Sequence, residues 1–166
     1  MGRIGQSLAR RALASGMKIV YNNRNRLSTE LEQLYQAEQL GLDKLLEVSD
    51  VVSLHTPLTR ETFHLIGRNG LQKMKETAIL INTARGPVVD EEALIEALQH
   101  KWINYAALDV YEFEPAISRE LFELDNVVLA PHNGTGTVEA RNEMSRFVSQ
   151  NIIRFFAGRT DISRVN

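Results

Sequence analysis

Five short apolar segments recur along this chain, and longer segments with helical spacing separate them. The apolar segments are residues 18–21, 51–54, 78–81, 105–110 and 127–129. Short apolar runs that alternate with helices are typical of buried parallel strands joined by helical crossovers. The pattern therefore predicts an α/β fold with a doubly wound parallel sheet, in which ligands bind beyond the carboxyl ends of the strands.

The first five residues indicate which kind of α/β fold this is. Gly2 and Gly5 form a G-x-x-G pattern, apolar residues continue it at helical spacing, and a predicted strand follows. This order resembles a G-x-G-x-x-G dinucleotide fingerprint whose first glycine is absent. We therefore expect a Rossmann-type sheet without its first, central strand. In the strand order 3-2-1-4-5-6 that strand would lie between the strands that begin at Lys18 and Ala78.

The composition argues against several classes of function. With 166 residues, of which 43% are hydrophobic and 24% charged, the chain matches one globular domain. A net charge of −2 provides no basic surface for nucleic acid, and no run of eighteen apolar residues predicts a membrane span. The chain has no cysteine and its histidines lack metal-ligand spacing, so we predict no metal site. We expect a cytoplasmic protein that binds neither nucleic acid nor membrane.

Three motifs place polar side chains where predicted strands end. Arg85, Glu114 and His132 follow the last three predicted strands, within the segments NTARGPVVDEEAL, LDVYEFEP and APHNGTG. Because the carboxyl ends of parallel strands meet at one edge of a sheet, we expect these side chains to lie close together. The sequence therefore predicts an active site that contains an arginine, a carboxylate and a histidine.

In this order the three motifs resemble the catalytic part of the D-2-hydroxyacid dehydrogenase family, from the first residue to about Gly158, and the segment after Tyr21, which lacks an acid, resembles the glyoxylate and hydroxypyruvate reductase branch of that family. The resemblance implies hydride transfer between NAD(P)H and a small 2-oxo or 2-hydroxy acid in a homodimer. It also implies a substrate domain that this chain lacks, so we expect the chain alone to be inactive. Formate, phosphoglycerate and D-lactate dehydrogenases are the alternatives within the family. Two further alternatives are a corepressor-like protein that binds a dinucleotide without catalysis, and a truncated product without function.

The guanidinium of Arg85 suits a 2-oxo acid. It offers a planar fork of donors for a carboxylate and a further donor for the neighbouring carbonyl oxygen. A lone arginine is more often a surface or ion-pair residue. The position of Arg85 between a strand and a helix, followed by Gly86, favours a ligand contact instead. The resemblance implies that Arg85 orients the substrate and polarises its carbonyl.

His132 is the predicted proton donor to the ketone oxygen. A lone histidine is more often structural, but an imidazole is the side chain best suited to proton transfer near neutrality. A carboxylate that accepts the second ring N–H would orient the imidazole and favour its charged form. The resemblance implies that Glu114 is this carboxylate, although Glu112 is near enough in sequence to be confused with it.

The resemblance also implies which residues contact the cofactor. We expect Asp109 to contact the nicotinamide carboxamide or its ribose, with capping of the following turn as the alternative. His55 is interpreted as part of the cofactor wall or as simple packing, and not as a catalytic base. Besides the basic segment described next, the predicted set is Gly2, Arg3, Ile4, Gly5, His55, Thr56, Pro57, Thr62, Thr83, Ala84, Arg85, Asp109, His132 and Gly134.

The choice of cofactor depends on the segment that follows the strand ending at Tyr21. NAD-specific folds usually have an acid here that binds the ribose 2′-hydroxyl, but this chain has Asn23 at or near that position. Arg24 and Arg26 would neutralise a 2′-phosphate. The alternative is a solvated basic loop. We therefore predict NADP, with NAD as the second choice.

The chain is predicted to contain two parts. Residues 1–136 form the NAD(P)-binding domain, and residues 137–166 form a helix and a tail. The helix is predicted from about Thr137 to Ala157, with one apolar face and with Gly158 as its stop. We expect this part to pack toward the absent substrate domain.

Overall fold

The computed structural model describes residues 1–163. Within them are seven α-helices, six β-strands and a short 3-10 helix at Gly86–Val88. The helices are α1 (Arg3–Ala14), α2 (Thr29–Tyr35), α3 (Leu42–Val48), α4 (Arg68–Lys73), α5 (Glu91–Gln99), α6 (Arg119–Phe122) and α7 (Val138–Phe156). The strands are β1 (Ile19–Tyr21), β2 (Ala37–Gln39), β3 (Val51–Leu54), β4 (Ile79–Asn82), β5 (Tyr105–Leu108) and β6 (Val127–Leu129).

The larger of two sheets contains β3, β4, β5 and β6 in that order, and every pair is parallel. This confirms the predicted α/β fold with a parallel sheet. The register aligns Leu54, Asn82, Leu108 and Leu129 in one row across the four strands. The residues that follow this row therefore lie side by side at the carboxyl edge of the sheet.

Helix α5 shows how the sequence covers this sheet. Ala93, Leu94, Ala97 and Leu98 are spaced by three and four residues, lie on one face of the helix and belong to the buried cluster that includes the sheet residues. The side chain of Asp90 accepts a hydrogen bond from the N–H of Ala93 at 3.0 Å and so caps the helix. The cap defines where α5 begins, a few residues after Arg85.

The smaller sheet pairs β1 with β2, also in parallel. Strand β2 was not predicted, because the segment Ala37-Glu38-Gln39 contains no apolar run. Without β2, the predicted neighbours of the strand that begins near Ala78 were wrong. We expected β4 to lie beside the first strand of the fingerprint, but it lies inside the larger sheet between β3 and β5. The end strand on that side of the sheet is β3.

The chain divides into two compact units, residues 1–132 and a second unit that begins at Asn133. The second unit contains α7, whose first turn is capped by the side chain of Thr137 and which is followed by Gly158 at φ +70°. No residue of α7 is buried, and its apolar residues include Phe147, Phe155 and Phe156. Of the described helices, none is both long and apolar enough to cross a membrane.

Candidate active site

The carboxyl edge of the larger sheet contains a cleft. Its volume is about 440 Å³, and residues from three neighbouring segments line it. These are Ile4 from α1, the loop after β3 and the loop after β4, with the full lining comprising Ile4, His55, Thr56, Pro57, Leu58, Thr83, Ala84 and Arg85. The cleft lies where open α/β sheets bind their ligands.

Asn82 shapes the turn that presents Arg85 to this cleft. The Asn82 side chain is 1% exposed. Its amide nitrogen donates to the carbonyl oxygen of Arg85 at 3.0 Å, and its oxygen accepts from the N–H of Ala84 at 3.1 Å. The turn is thus fixed by a side chain that the sequence analysis did not single out. In the sequence, the feature that could have identified Asn82 is a polar residue at the end of an apolar strand.

The guanidinium of Arg85 is exposed and largely uncommitted. Its Nη1 donates to the carbonyl oxygen of Ala84 at 2.6 Å. Among residues 1–163 this is its one hydrogen bond, so most of the donor fork remains available to an anionic ligand.

Gly86 brings the arginine turn against the loop that contains Glu114. A Cβ atom on Gly86 would lie 1.9 Å from the carbonyl oxygen of Tyr111 and 2.5 Å from the nitrogen of Glu112. The close approach that Gly86 allows is therefore to main chain of the protein itself. Only a residue without a side chain allows the two loops to touch in this way.

Glu114 and His132 form the predicted pair. The Nδ1 atom of His132 lies 3.0 Å from Oε2 of Glu114, and Oε1 of Glu114 accepts from the N–H of Tyr111 at 2.9 Å. Burial opposes ionisation of Glu114, but the hydrogen bonds from Tyr111 and His132, with the charges of His132 and Arg85, outweigh it and lower the pKa of Glu114. Glu114 is therefore ionised near neutral pH and orients the imidazole.

Tyr111 also positions the strand end that precedes His132. Its hydroxyl donates to the carbonyl oxygen of Ala130 at 2.7 Å, and its ring is buried. Two residues later the backbone of His132 adopts the left-handed conformation, with φ +52°. Among the described residues, Nε2 of His132 has no hydrogen-bond partner. Within residues 1–163, this nitrogen is therefore available to a ligand.

Glu112 has different partners from Glu114. Its Oε1 lies 2.6 Å from Nε2 of His64, and its Oε2 accepts from the N–H of Glu91 at 2.9 Å. The geometry thus distinguishes the two glutamates that the sequence analysis found easy to confuse. It is Glu114 that contacts His132.

The start of α1 and the loop after β3 face each other. Gly2 is the N-cap of α1, and the Cβ position on Gly5 lies 3.8 Å from the ring of His55. A helix N-terminus with free N–H groups is suited to binding phosphate. Burial, followed by the charge of the N-terminal amine, lowers the pKa of His55, whose Nε2 lies 2.9 Å from the hydroxyl of Ser53. A neutral, tethered His55 agrees with its interpretation as wall or packing.

Two threonines of this loop behave differently. The Oγ1 atom of Thr56 is buried and has no hydrogen-bond partner in the described part of the chain. Thr62 uses its hydroxyl within the loop, because Oγ1 donates to the carbonyl oxygen of Pro57 at 2.6 Å and accepts from the N–H of Thr59 at 2.8 Å. Thr56 therefore has hydrogen-bonding capacity to offer a ligand, whereas Thr62 shapes the loop.

The remaining predicted cofactor residues lie in four places. Arg3 and Ile4 belong to the first turn of α1, and Thr83 with Ala84 lines the cleft. Asp109 is 9% exposed, and its N–H donates to the carbonyl oxygen of Asn82 at 3.0 Å, so it continues the row of strand ends. Gly134 lies in the second unit.

The basic segment after β1 contains one available cation. Arg26 makes a bidentate ion pair with Glu32, with both N···O distances 2.9 Å, and the hydroxyl of Tyr21 donates to the same carboxylate at 2.6 Å. Arg24 is exposed and makes no hydrogen bond or ion pair within residues 1–163. The side-chain oxygen of Asn23 accepts from the amine of Met1. Of the two arginines predicted to bind a phosphate, only Arg24 is unpaired.

Comparison with known proteins decides the family. Residues 1–134 match the family model described as the NAD binding domain of D-isomer specific 2-hydroxyacid dehydrogenase. The chain belongs to this family. The predicted family membership is therefore confirmed.

The similarity extends to individual relatives. The chain is 53% identical to a glyoxylate reductase from Thermococcus litoralis over 99% of its own length and 50% of the relative's. A glyoxylate reductase structure from Paecilomyes thermophila superposes with a TM-score of 0.87 at 44% identity, covering 93% of this chain and 46% of that one. The structure of an NADPH-dependent glyoxylate/hydroxypyruvate reductase from Sinorhizobium meliloti, solved with NADP and malonate, superposes with a TM-score of 0.88 at 35% identity. The match covers 93% of this chain and 47% of that one. The chain thus spans about half the length of the relatives it matches.

Proposed function

We propose that this chain is the nucleotide-binding and proton-transferring part of an oxidoreductase that reduces a small 2-oxo acid of the glyoxylate or hydroxypyruvate type. The observation that supports it most directly is the Glu114–His132 pair at 3.0 Å on the same sheet edge as the uncommitted Arg85. The names of the Thermococcus litoralis and Paecilomyes thermophila relatives support glyoxylate as the substrate.

The residues of the cleft fit a dinucleotide. The N-terminus of α1 at Gly2 suits its phosphates. The buried, unpartnered hydroxyl of Thr56 offers a hydrogen bond to a polar group in the cleft. When bound there, a nicotinamide cofactor supplies the hydride for ketone reduction and accepts it in the reverse direction.

Each residue of the predicted catalytic set has its own task. The fork of Arg85 binds the carboxylate of the 2-oxo acid and polarises the neighbouring carbonyl. Protonated His132 donates from Nε2 to the oxygen that becomes the hydroxyl. Glu114, ionised and anchored by the N–H of Tyr111, keeps Nδ1 of His132 protonated and the ring in place.

We further propose NADP as the preferred cofactor. No acid directly follows Tyr21 at the end of β1, and Asn23 occupies the place where an acid would repel a 2′-phosphate. Arg24, which makes no hydrogen bond or ion pair within residues 1–163, supplies a positive charge. The Sinorhizobium meliloti relative, solved with NADP, supports this choice. The homodimer and the cytoplasmic location stay predictions.

The proposal is tested by joining this chain to the half of the Thermococcus litoralis relative that it does not match. We expect the joined protein to oxidise NADPH when glyoxylate or hydroxypyruvate is present, and to do so more slowly with pyruvate. Arg85→Lys, which keeps the charge and removes the fork, should raise KM and lower kcat. Arg119→Lys at an exposed position of α6 is the matched control.

Two outcomes would contradict the proposal. The first is a joined protein that binds NADPH but reduces none of the three acids, which would favour the dinucleotide-binding protein without catalysis. The second is equal activity of the Arg85→Lys and Arg119→Lys variants, which would remove Arg85 from the substrate site.

A further inference from the structure

A second polar cluster lies beside the catalytic residues. The N–H of Glu112 donates to Oε2 of Glu91 at 2.8 Å, and the N–H of Glu91 donates to Oε2 of Glu112 at 2.9 Å. Each glutamate therefore binds the main chain of the other. His64 contacts the remaining oxygen of Glu112 at 2.6 Å, and the hydroxyl of Ser118 donates to Oε1 of Glu91 at 2.6 Å.

The two carboxylates of this cluster are well shielded from water, whereas the side chain of His64 is 33% exposed. Glu91 is 3% exposed, and the side chain of Glu112 is 11% exposed. His64 is fixed in turn, because its N–H donates to the carbonyl oxygen of Pro87 at 2.8 Å and its ring stacks on Phe63 with centroids 4.0 Å apart. Within the described part of the chain, one other carboxylate lies near the His64 ring: an oxygen of Asp90 is 4.0 Å from Nδ1. Charge-assisted hydrogen bonds in such surroundings are strong and directional.

The segment attached to this cluster is the one that orients the catalytic histidine. Glu112 lies between Tyr111, whose N–H binds Glu114, and Glu114 itself. Its own N–H is bound by Glu91, and its side chain is bound by His64 and by the first N–H of α5. A shift of Glu112 would therefore move both the N–H that anchors Glu114 and the carboxylate that contacts His132.

We propose that Glu112 is a positioning residue: bound by Glu91 and His64, it fixes the Tyr111–Glu114 segment so that Glu114 meets His132. The inference rests on the proposed function for the roles of Glu114 and His132. Capping of α5 alone does not account for the cluster. Asp90 already caps that helix, and a cap has no need of the reciprocal bond from the N–H of Glu112 to Glu91.

The four histidines of the chain make the test direct. We would follow the ring resonances of His132 by NMR as a function of pH in the 166-residue chain, with no cofactor or substrate. Assignment uses one His→Gln variant for each of the four. The variants compared are Glu112→Ala, which removes charge and hydrogen bonds, and Glu112→Gln, which removes the charge and retains an oxygen that accepts from the N–H of Glu91.

At neutral pH we expect Glu112→Ala to move the ring ¹⁵N resonances of His132 toward those of an imidazole without a carboxylate partner, because a displaced Glu114 no longer accepts a hydrogen bond from Nδ1. Glu112→Gln should produce less than half of this shift. Glu92→Ala, at an exposed position in the same turn of α5, controls for the loss of a nearby negative charge. In a Glu114→Gln background, Glu112→Ala should add no further shift.

Three results would overturn the proposal. Equal shifts of the His132 resonances in Glu112→Ala and Glu112→Gln would show a purely electrostatic effect. Equal shifts in Glu112→Ala and Glu92→Ala would show that the loss of any nearby negative charge is sufficient. A shift caused by Glu112→Ala in the Glu114→Gln background would show that Glu112 does not act through the Glu114 carboxylate. If Glu112→Ala does not fold, His64→Leu removes one contact of Glu112 and should shift His132 in the same direction by less. Because no step needs turnover, failure here is distinct from failure of the proposed reduction.

Discussion

The carboxyl edges of the two sheets are stabilised in different ways. At the larger sheet, Asn82 fixes its own turn, and two contacts join different loops: the hydroxyl of Tyr111 donates to the carbonyl of Ala130, and Gly86 touches the main chain of Tyr111. At the smaller sheet, the ion pair of Arg26 and Glu32 joins residues close in sequence.

This difference separates two tasks. The long-range contacts of the larger edge fix the relative positions of groups that must meet at one substrate, and small errors of position are costly in catalysis. The exposed charges of the smaller edge can change with little effect on the fold, because surface ion pairs contribute about 0–1 kcal/mol. We therefore expect substitutions at the larger edge to damage catalysis or stability, and those at the smaller edge to change cofactor preference.

The largest expected effect is on catalysis at the larger edge. His132→Ala in the joined protein should lower kcat for glyoxylate reduction by about 10²–10⁴-fold, because it removes the proposed general acid. His100→Ala, at an exposed site after α5, should leave kcat unchanged. Steady-state rates of NADPH oxidation measure both. A loss of less than fivefold in His132→Ala would assign the proton to another group.

The contact between two loops of the larger edge is the next target. Gly86→Ala should destabilise the chain by about 3 kcal/mol or more, since its Cβ would lie 1.9 Å from a main-chain oxygen that cannot rotate away. Gly41→Ala, after β2 of the smaller sheet, meets no atom within 4 Å and should change stability by about 0.5 kcal/mol or less. Urea unfolding followed by circular dichroism gives both values. Similar midpoints for the two variants would contradict the assigned contact.

The larger edge was also the part that could be predicted from sequence. Its strands β3 to β6 are apolar runs, and parallel strands with short loops necessarily bring their ends together, so Arg85, Glu114 and His132 could be placed on one edge. The smaller sheet could not be predicted in full. Glu38 and Gln39 give β2 a polar sequence, and only pairing with β1 makes the segment a strand.

Contacts between distant residues were the other part that sequence could not supply. Nothing in the order of residues shows that Glu112 meets His64, 48 positions away, while Glu114 meets His132. A contact between residues close in sequence was missed as well, because the prediction that both Arg24 and Arg26 bind phosphate did not include the pairing of Arg26 with Glu32. Each depends on loop conformation, which is set by backbone hydrogen bonds and not by the residue pattern.

The buried Asn82 of the larger edge can be compared with the exposed Asn22 of the smaller edge. Asn82→Leu should destabilise the chain by about 1–3 kcal/mol, because it leaves the N–H of Ala84 without its partner and leaves the carbonyl of Arg85 with only the N–H of Val88 as a donor within residues 1–163. Asn22→Leu is the matched change after β1, where an exposed amide donates to the carbonyl of Leu40 at 2.8 Å. It should cost about 0.5 kcal/mol or less. Equal costs in urea unfolding would show that burial does not distinguish the two edges.

The smallest expected effect is on cofactor preference at the smaller edge. Arg24→Ala should weaken NADPH binding roughly tenfold and leave NADH binding nearly unchanged, because a contact to a charged group contributes about 1.5–3 kcal/mol and about 1.4 kcal/mol is a factor of ten. Arg26→Ala should have a smaller effect, because the Nε and Nη2 atoms of Arg26 are already bound to Glu32. Asn23→Asp should reverse the preference by accepting the 2′-hydroxyl and repelling the 2′-phosphate.

Fluorescence titration of both cofactors against the parent and these three variants separates the contributions, with unfolding midpoints measured alongside. The comparison of the two edges requires that Arg24→Ala change cofactor affinity without changing stability, since its side chain makes no hydrogen bond or ion pair within residues 1–163. Equal losses for NADPH and NADH would mean that Arg24 contacts a group common to both cofactors. Equal affinity of the parent for both would mean that the segment after β1 is a solvated loop. The missing acid would then not select NADP, and NAD would become the expected cofactor.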